Sequence, residues 1–182
     1  MDAMQVIQRL HQHRTWVNRN LLESATLLSE EWLQAPFPIG QGSIWKSLVH
    51  LYAAEYVWLE ALLGDENPLV QGDLAGKLPG NQLGENRIAS LDELLTLWTA
   101  LEQRWSDYLA ALNPDSLEDF VYKKSTSVSV GNRFGTRRSD ILLHVCTHAQ
   151  YTTAQIVNML KQCGAEKLPD TMLIILARQE AS

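Results

Sequence analysis

The sequence predicts an all-α protein, a four-helix bundle with a crossover connection that carries a small hairpin or an extended excursion. Apolar side chains recur at three- and four-residue steps over four long segments, the spacing of amphipathic helices. The stretches between these segments hold most of the prolines and glycines, which end helices. With 182 residues, 46% of them hydrophobic, the chain is expected to form one domain over residues 1–182.

The first two helices are predicted on either side of a proline- and glycine-rich connector. Helical spacing runs from Ala3 to about Glu31, and two prolines and two glycines within residues 35–42 prevent its continuation. Ser43 is a candidate N-cap for a second helix over Ile44–Leu63, which is apolar on more than half of its circumference. We therefore expect this helix in the interior, ending at Gly64.

The rest of the chain supplies two more long helices and three irregular segments. The third helix is predicted from Ser90 to Leu112 and the fourth from Arg138 to Gln162. Between them, residues 120–134 combine β-branched residues with a Gly-Asn turn signal, which favours a hairpin. A short apolar segment, Thr171–Arg178, follows the fourth helix. Residues 65–88, with four glycines and two prolines, predict a long loop that is functional, mobile or holds a short helix.

Charge and hydropathy disfavour two classes of partner. The chain has 15 Lys and Arg against 21 Asp and Glu, a net charge of −6, so its field does not attract nucleic acid. No apolar stretch approaches the roughly 20 residues that cross a bilayer. The first ten residues lack the pattern of a secretory signal, so a cytoplasmic location is expected.

The two cysteines, Cys146 and Cys163, are expected to be free thiols. On one helix, 17 positions correspond to about 25 Å, too far for a disulfide. Cys146 lies two positions from each of two histidines, about 200° around the helix, and is interpreted as a small core residue.

Three histidines, His50, His144 and His148, are the candidate metal ligands. His144 and His148 lie four residues apart on the predicted fourth helix, so their side chains project from nearly the same face. His148 shares a stripe with apolar residues, which indicates that the pair points inward. His50 lies in the most apolar helix, where its ring needs a polar partner. Histidines entering a bundle from two helices are a known way to build a metal site, although this spacing is also common among core histidines.

A local basic cluster surrounds the predicted hairpin. Its members are Lys123, Lys124, Arg133, Arg137 and Arg138. A solvated edge is the main interpretation, because lysines discourage further strand pairing. A site for a thiol carboxylate or another anionic substrate is the alternative. Ser/His/Asp catalysis is not indicated, because no serine lies in a GxSxG context.

Three blocks of sequence resemble the DinB/YfiT-like metalloenzyme superfamily. They are the run from His50 to Leu59, the run from Asp140 to His148 leading to Gln155–Leu160, and the tail Leu168–Thr171. The resemblance covers nearly the whole chain. It implies a four-helix bundle, often a homodimer, with a divalent metal, commonly nickel or zinc, bound by three histidines. It also implies a thiol S-transferase or isomerase using a low-molecular-weight thiol such as mycothiol or bacillithiol, although many members have no assigned reaction.

The resemblance assigns ligand positions residue by residue. His50 matches the ligand from the second helix, and His148 matches the first of two ligands on the fourth. The second of these normally lies four residues later, where this chain has Thr152. Thr153 and Ala154 replace the usual basic and glycine residues.

Three hypotheses follow from this departure. In the first, His144 completes a shifted triad with His50 and His148, and the metal activates water or a small thiol for a transferase or hydrolase reaction. In the second, a hydroxyl at Thr152 is too poor a ligand, and the chain is a non-catalytic helical dimer with a degenerate site. In the third, the bundle core binds an apolar small molecule. We expect the long loop over residues 65–88 to cover the site if the first hypothesis holds.

Overall fold

The computed structural model describes residues 2–127 and 129–181. It contains the long helices α1 (Ala3–Thr26), α3 (Ile44–Leu62), α4 (Leu91–Ala111) and α5 (Arg138–Gln162). Two short helices, α2 (Glu30–Gln34) and α6 (Leu173–Gln179), accompany them. The connection from α4 to α5 holds a 3-10 helix, Pro114–Glu118, and strands β1 (Phe120–Lys124) and β2 (Arg133–Arg137). No helix within the described residues is long and apolar enough to cross a membrane.

The helix ends follow the capping residues of the sequence. Ser43 Oγ accepts a hydrogen bond from the amide of Lys46 at the start of α3, and Ser90 caps α4 in the same way. Gly64 adopts a φ of +106° after α3, the left-handed conformation that glycine tolerates best. The start of α5 at Arg138 and its end at Gln162 are as predicted.

The predicted first helix is wrong beyond Thr26. The chain turns at Leu27 and Leu28, and Ser29 caps the separate helix α2 by accepting a hydrogen bond from the amide of Trp32. No proline or glycine marks this break, because a serine cap starts the new helix instead. Between residues 65 and 88 the structure has neither helix nor strand.

The predicted hairpin forms, but its two strands do not include all of the β-branched residues that predicted it. Strands β1 and β2 are antiparallel, and Tyr122 pairs with Gly135. Among the β-branched residues that favoured a hairpin, Val130 lies in the connecting turn and Val128 lies outside the described residues. The turn signal at Gly131 is confirmed, with a φ of +86°.

The chain divides into two compact units. The first comprises Met1–Leu48 and Cys146–Ser182, and the second comprises Val49–Val145, so the boundaries fall inside α3 and α5. Each unit has its own buried apolar side chains. In the first these include Val17, Leu21, Ile44, Leu48, Ile156 and Met159. In the second they include Leu51, Leu59, Leu94, Trp98, Leu101, Trp105, Ile141 and Leu142. The prediction of a single domain stays a prediction.

Candidate metal centre

His50 is held in one tautomer by the long loop. Its Nδ1 lies 2.7 Å from the carbonyl oxygen of Pro79. A carbonyl can only accept, so Nδ1 carries a proton and donates, and in the neutral ring the lone pair then lies on Nε2. Metal-binding histidines have this arrangement, in which a second partner fixes the ring and raises the basicity of the ligating nitrogen. The contact of Nδ1 with Pro79 therefore makes Nε2 the nitrogen through which the partly exposed His50 ring would bind a metal.

The loop reaches His50 because a glycine allows close contact with α3. At Gly80, which has a φ of +79°, an added Cβ would lie 2.6 Å from His50 Cα and 2.9 Å from its amide nitrogen. Real Cβ atoms do not approach backbone so closely, so only glycine fits. The preceding Pro79 carbonyl is thereby brought to the imidazole.

Asp73 organises the same loop from within. Its side chain is 8% exposed. One carboxylate oxygen accepts a hydrogen bond from the amide of Gly80 at 2.6 Å. The other accepts from the amide and the side chain of Gln82 at 2.9 and 3.0 Å. Hydrogen bonds to a charged acceptor are among the stronger ones in proteins, so the segment that positions His50 is itself fixed.

His144 packs against an aromatic ring near the surface. Its imidazole meets the indole of Trp58 edge to face, with ring centroids 5.4 Å apart. The residue is exposed, so the expectation that it points inward is wrong. The imidazole of His144 has its apolar contact with the Trp58 ring and does not lie in the buried core. Desolvation by the partial burial of the ring lowers the pKa of His144 below its ordinary value of 6.5.

The part of α5 after His144 is half-buried or buried at the candidate positions, but it lacks the third histidine that the family resemblance implies. His148 is half-buried, whereas Thr152 and Thr153 are both 2% exposed. The hydroxyl of Thr153 is buried with no hydrogen-bond partner among the described residues. Thr152 thus occupies an interior position where the family pattern has histidine.

The described residues form an incomplete donor set. Among residues 2–127 and 129–181, no three His, Cys, Asp or Glu side chains lie close enough together to hold one metal ion. The tautomer of His50 suits a ligand, and the threonine in place of the third histidine does not. The assignment of His50, His148 and His144 as a ligand set stays a prediction.

Sequence reasoning missed the loop residues that act on His50. Pro79 contributes only a main-chain carbonyl, and Asp73 acts through amides seven and nine residues away. Neither role has a sequence motif. The loop itself was the one available signal, because long loops in small domains are often functional.

The structure also gives the surroundings of the two cysteines, of two further histidines and of the basic cluster. Cys146 is buried and Cys163 is partly buried, and neither forms a disulfide within the described part of the chain. His11 and His13, on α1, are both buried. In the basic cluster, the arginines form pairs and Lys123 is buried, so a fully solvated edge does not describe it.

Comparison with known proteins agrees with this architecture. The DinB family model matches residues 4–180. Among solved structures, the chain is similar to YfiT from Bacillus subtilis, described as a probable metal-dependent hydrolase with an unusual four-helix bundle topology. The TM-score is 0.61 at 18% identity, with 87% of each chain covered, which shows a shared fold. No curated protein matches this sequence.

The fold class and the family resemblance derived from the sequence are therefore confirmed. The helices, the match over almost the whole chain and the structural likeness all agree on a four-helix bundle. The chain belongs to the DinB family.

Proposed function

We propose that the protein is a metal-dependent enzyme, a hydrolase or thiol S-transferase, with a nickel or zinc ion bound by His50, His148 and His144. The observation that carries the proposal is the 2.7 Å hydrogen bond from His50 Nδ1 to the Pro79 carbonyl. It supports Nε2 as the nitrogen that would bind the metal, because second partners orient histidine ligands in this way in metal sites. Membership of the DinB family and the description of YfiT as a probable metal-dependent hydrolase support the same conclusion.

The chain's own residues have defined tasks under this proposal. A bound divalent ion supplies Lewis acidity that lowers the pKa of water or a thiol towards neutrality. Pro79 orients the His50 ring, Asp73 holds the loop that presents Pro79, and Gly80 allows the approach. A homodimer and a low-molecular-weight thiol substrate belong to the proposal as family expectations.

A second candidate is a non-catalytic helical protein with a degenerate site. It is favoured by Thr152, which is buried where the family pattern has histidine, and by the incomplete donor set of the described residues. Under this alternative His50 and His148 are structural residues, and their substitution changes stability and no metal content.

Elemental analysis of untagged protein purified without chelators separates the two candidates. We expect near-stoichiometric nickel or zinc in the unmodified protein and its loss in His50→Asn and His148→Ala. Asparagine preserves a donor near the position of Nδ1 and removes Nε2, so His50→Asn tests ligation and not the loop contact. His13→Gln, which changes a buried histidine outside the set, is the matched control and keeps the metal.

The variant His144→Ala tests the shifted triad. Loss of metal from folded protein, checked by circular dichroism, identifies His144 as the third ligand, and retention excludes it. An unmodified protein that contains no metal and takes up neither Zn²⁺ nor Ni²⁺ would refute the enzyme proposal.

A further inference from the structure

A pocket of about 160 Å³ lies within the second unit, next to the hairpin. Its walls combine two aromatic rings, hydroxyl groups and lysines. They are formed by Trp58, Lys123, Lys124, Ser125, Thr126, Ser127, Phe134 and Thr136. The volume is close to that of a protein cavity able to hold one benzene ring. A pocket of this size suits a ligand with a single aromatic or branched group.

Lys123 brings a buried positive charge to this pocket. The residue is 9% exposed, and its Nζ lies 5.3 Å from the centre of the Trp58 ring. Nζ donates one hydrogen bond, to the carbonyl of Lys124 at 3.1 Å. Within the part of the chain that the structure describes, no carboxylate lies within 4 Å of it. An ammonium has three donors, so this buried charge has capacity for an anionic ligand.

The arginines of the basic cluster differ from Lys123 in this respect. Arg133 forms two 2.7 Å contacts with the carboxylate of Glu66, and Arg137 lies 3.5 Å from Glu118. Arg138 donates to a tyrosine hydroxyl at 2.6 Å. These arginines already have partners within the protein. Of the two lysines that line the pocket, Lys124 is exposed to solvent and Lys123 is buried, so Lys123 is the cation that gains most from an anion in the pocket.

We propose that this pocket binds the carboxylate of a small aromatic acid, with Lys123 as the cation and Trp58 and Phe134 as the apolar walls. A charge-assisted hydrogen bond from Lys123 would offset the desolvation of its ammonium. The rings supply the apolar contact that a bare inorganic anion cannot use. Trp58 also contacts His144, so the pocket lies one side chain from a proposed metal ligand.

The desolvation of Lys123 supports this assignment. Burial lowers the pKa of its ammonium below the ordinary 10.5, with nearby Asp65 acting weakly in the opposite direction. Such a group gains from any anion that enters its surroundings. The site is independent of metal, and the test uses metal-free protein so that failure of either proposal leaves the other intact.

Isothermal titration of metal-free protein with benzoate and with benzamide tests the charge requirement directly. The two probes share a ring and nearly the same shape, and only benzoate carries a negative charge. We expect benzoate to bind about tenfold more tightly, since a hydrogen bond between charged groups is worth at least this factor. No benzoate binding, or equal affinity for both probes, would overturn the proposal.

Two variants assign the binding to its residues. Lys123→Met keeps the apolar stem and removes the charge, so the preference for benzoate should disappear. Lys161→Met, on an exposed helix face, changes the net charge equally and should preserve it. Phe134→Ala should weaken both probes alike, because it removes a wall and no charge. A benzoate preference that survives in folded Lys123→Met would place the anion elsewhere and contradict the proposal.

Discussion

The two helices that supply the proposed ligands differ in what they place at the candidate metal site. On α3, His50 retains its imidazole and the partner that fixes its tautomer, the Pro79 carbonyl at 2.7 Å. On α5, the position where the family has its third histidine holds Thr152, which is as buried as a core residue. At its candidate position α3 has a histidine with a hydrogen-bond partner, whereas α5 has a buried threonine that is a poor metal ligand.

This difference shows that burial and ligation are separable properties of a site. A threonine can occupy an interior helical position because its hydroxyl can donate to a carbonyl of the preceding turn. The hydroxyl of Thr153, the residue after Thr152, is also buried but has no hydrogen-bond partner among the described residues. The loop around Asp73 and Gly80 is costly to organise, since it places Gln82 and Asn86 at positive φ values of 49° and 53°. Such a loop beside His50 is expected if the imidazole still has a function.

The most direct test of the difference between α3 and α5 is to restore histidine on α5. We expect Thr152→His to raise the affinity for Zn²⁺ or Ni²⁺ by more than the 10- to 100-fold that an outer-sphere partner contributes, because it adds an imidazole. Titration with a metal-competing chelator dye measures the change. The larger ring at a buried position is expected to lower the stability of the metal-free protein by about 1–3 kcal/mol.

A histidine elsewhere on α5 provides the control. Ala154→His, two residues further on at an exposed position, adds the same side chain away from that interior position. If both variants gain affinity equally, the added ligand acts non-specifically and position 152 has no special role. If neither gains, α5 has lost more than its third histidine.

Gly80→Ala tests whether the contact between the loop and His50 contributes to metal binding. The added Cβ would lie 2.6 Å from His50 Cα, so the loop must move and Pro79 must release the imidazole. We expect the metal affinity to fall about 10- to 100-fold, the usual cost of losing a partner of a ligand. We also expect the stability to fall, measured as the midpoint of urea unfolding.

Gly76→Ala is a matched control for backbone strain. Gly76 has a φ of +73°, close to the +79° of Gly80, and its added Cβ would meet nothing closer than Val130 Cγ1 at 3.7 Å. This variant should lose about 1–2 kcal/mol from the left-handed backbone alone and keep its metal affinity. Gly80→Ala should lose about 1–3 kcal/mol more, from overpacking. Equal effects of the two substitutions would show that the contact with His50 is unimportant.

Most of the helical architecture could be predicted from the sequence because it depends on local signals. The ends of α3, α4 and α5 follow from residues such as Ser43, Ser90 and Gly64, each of which acts on its own helix. The break after Thr26 could not be foreseen, because apolar spacing continues across it and a serine cap is common in sequence.

The candidate site was less predictable because its contacts join distant parts of the chain. His50 and Pro79 are 29 residues apart, and the bond between them uses a main-chain carbonyl that any residue possesses. The packing of His144 on Trp58 likewise depends on tertiary structure, and helical spacing placed that ring in the core. Residue type identified the histidines, and only coordinates show how each ring is held.

His13 on α1 is a useful counterpart to His50, because its ring also contacts a main-chain carbonyl but is not in the proposed ligand set. Its Nε2 donates to the carbonyl of Thr171 at 2.9 Å. Desolvation lowers the pKa of His13 below its ordinary value of 6.5, the Thr171 hydrogen bond acts in the opposite direction, and Arg9 adds a smaller lowering effect. Because the folded protein disfavours the charged ring, the unfolded chain binds more protons once the pH falls below about 6.5. The folded state should therefore lose stability from that pH down to the folded-state pKa of His13.

His13→Gln removes this titration and keeps a side-chain donor for Thr171. We expect the variant to resemble the unmodified protein above about pH 7 and to lose less stability on acidification, with urea midpoints compared between about pH 5 and 8. This is the smallest expected effect, since one histidine among several contributes. An unchanged slope would show that the anchored ring of His13 carries no net proton linkage. A hydrogen bond from an imidazole to a main-chain carbonyl would then not show that the ring affects the free energy of unfolding. The inference drawn from the His50 contact with Pro79 would be weaker in the same way.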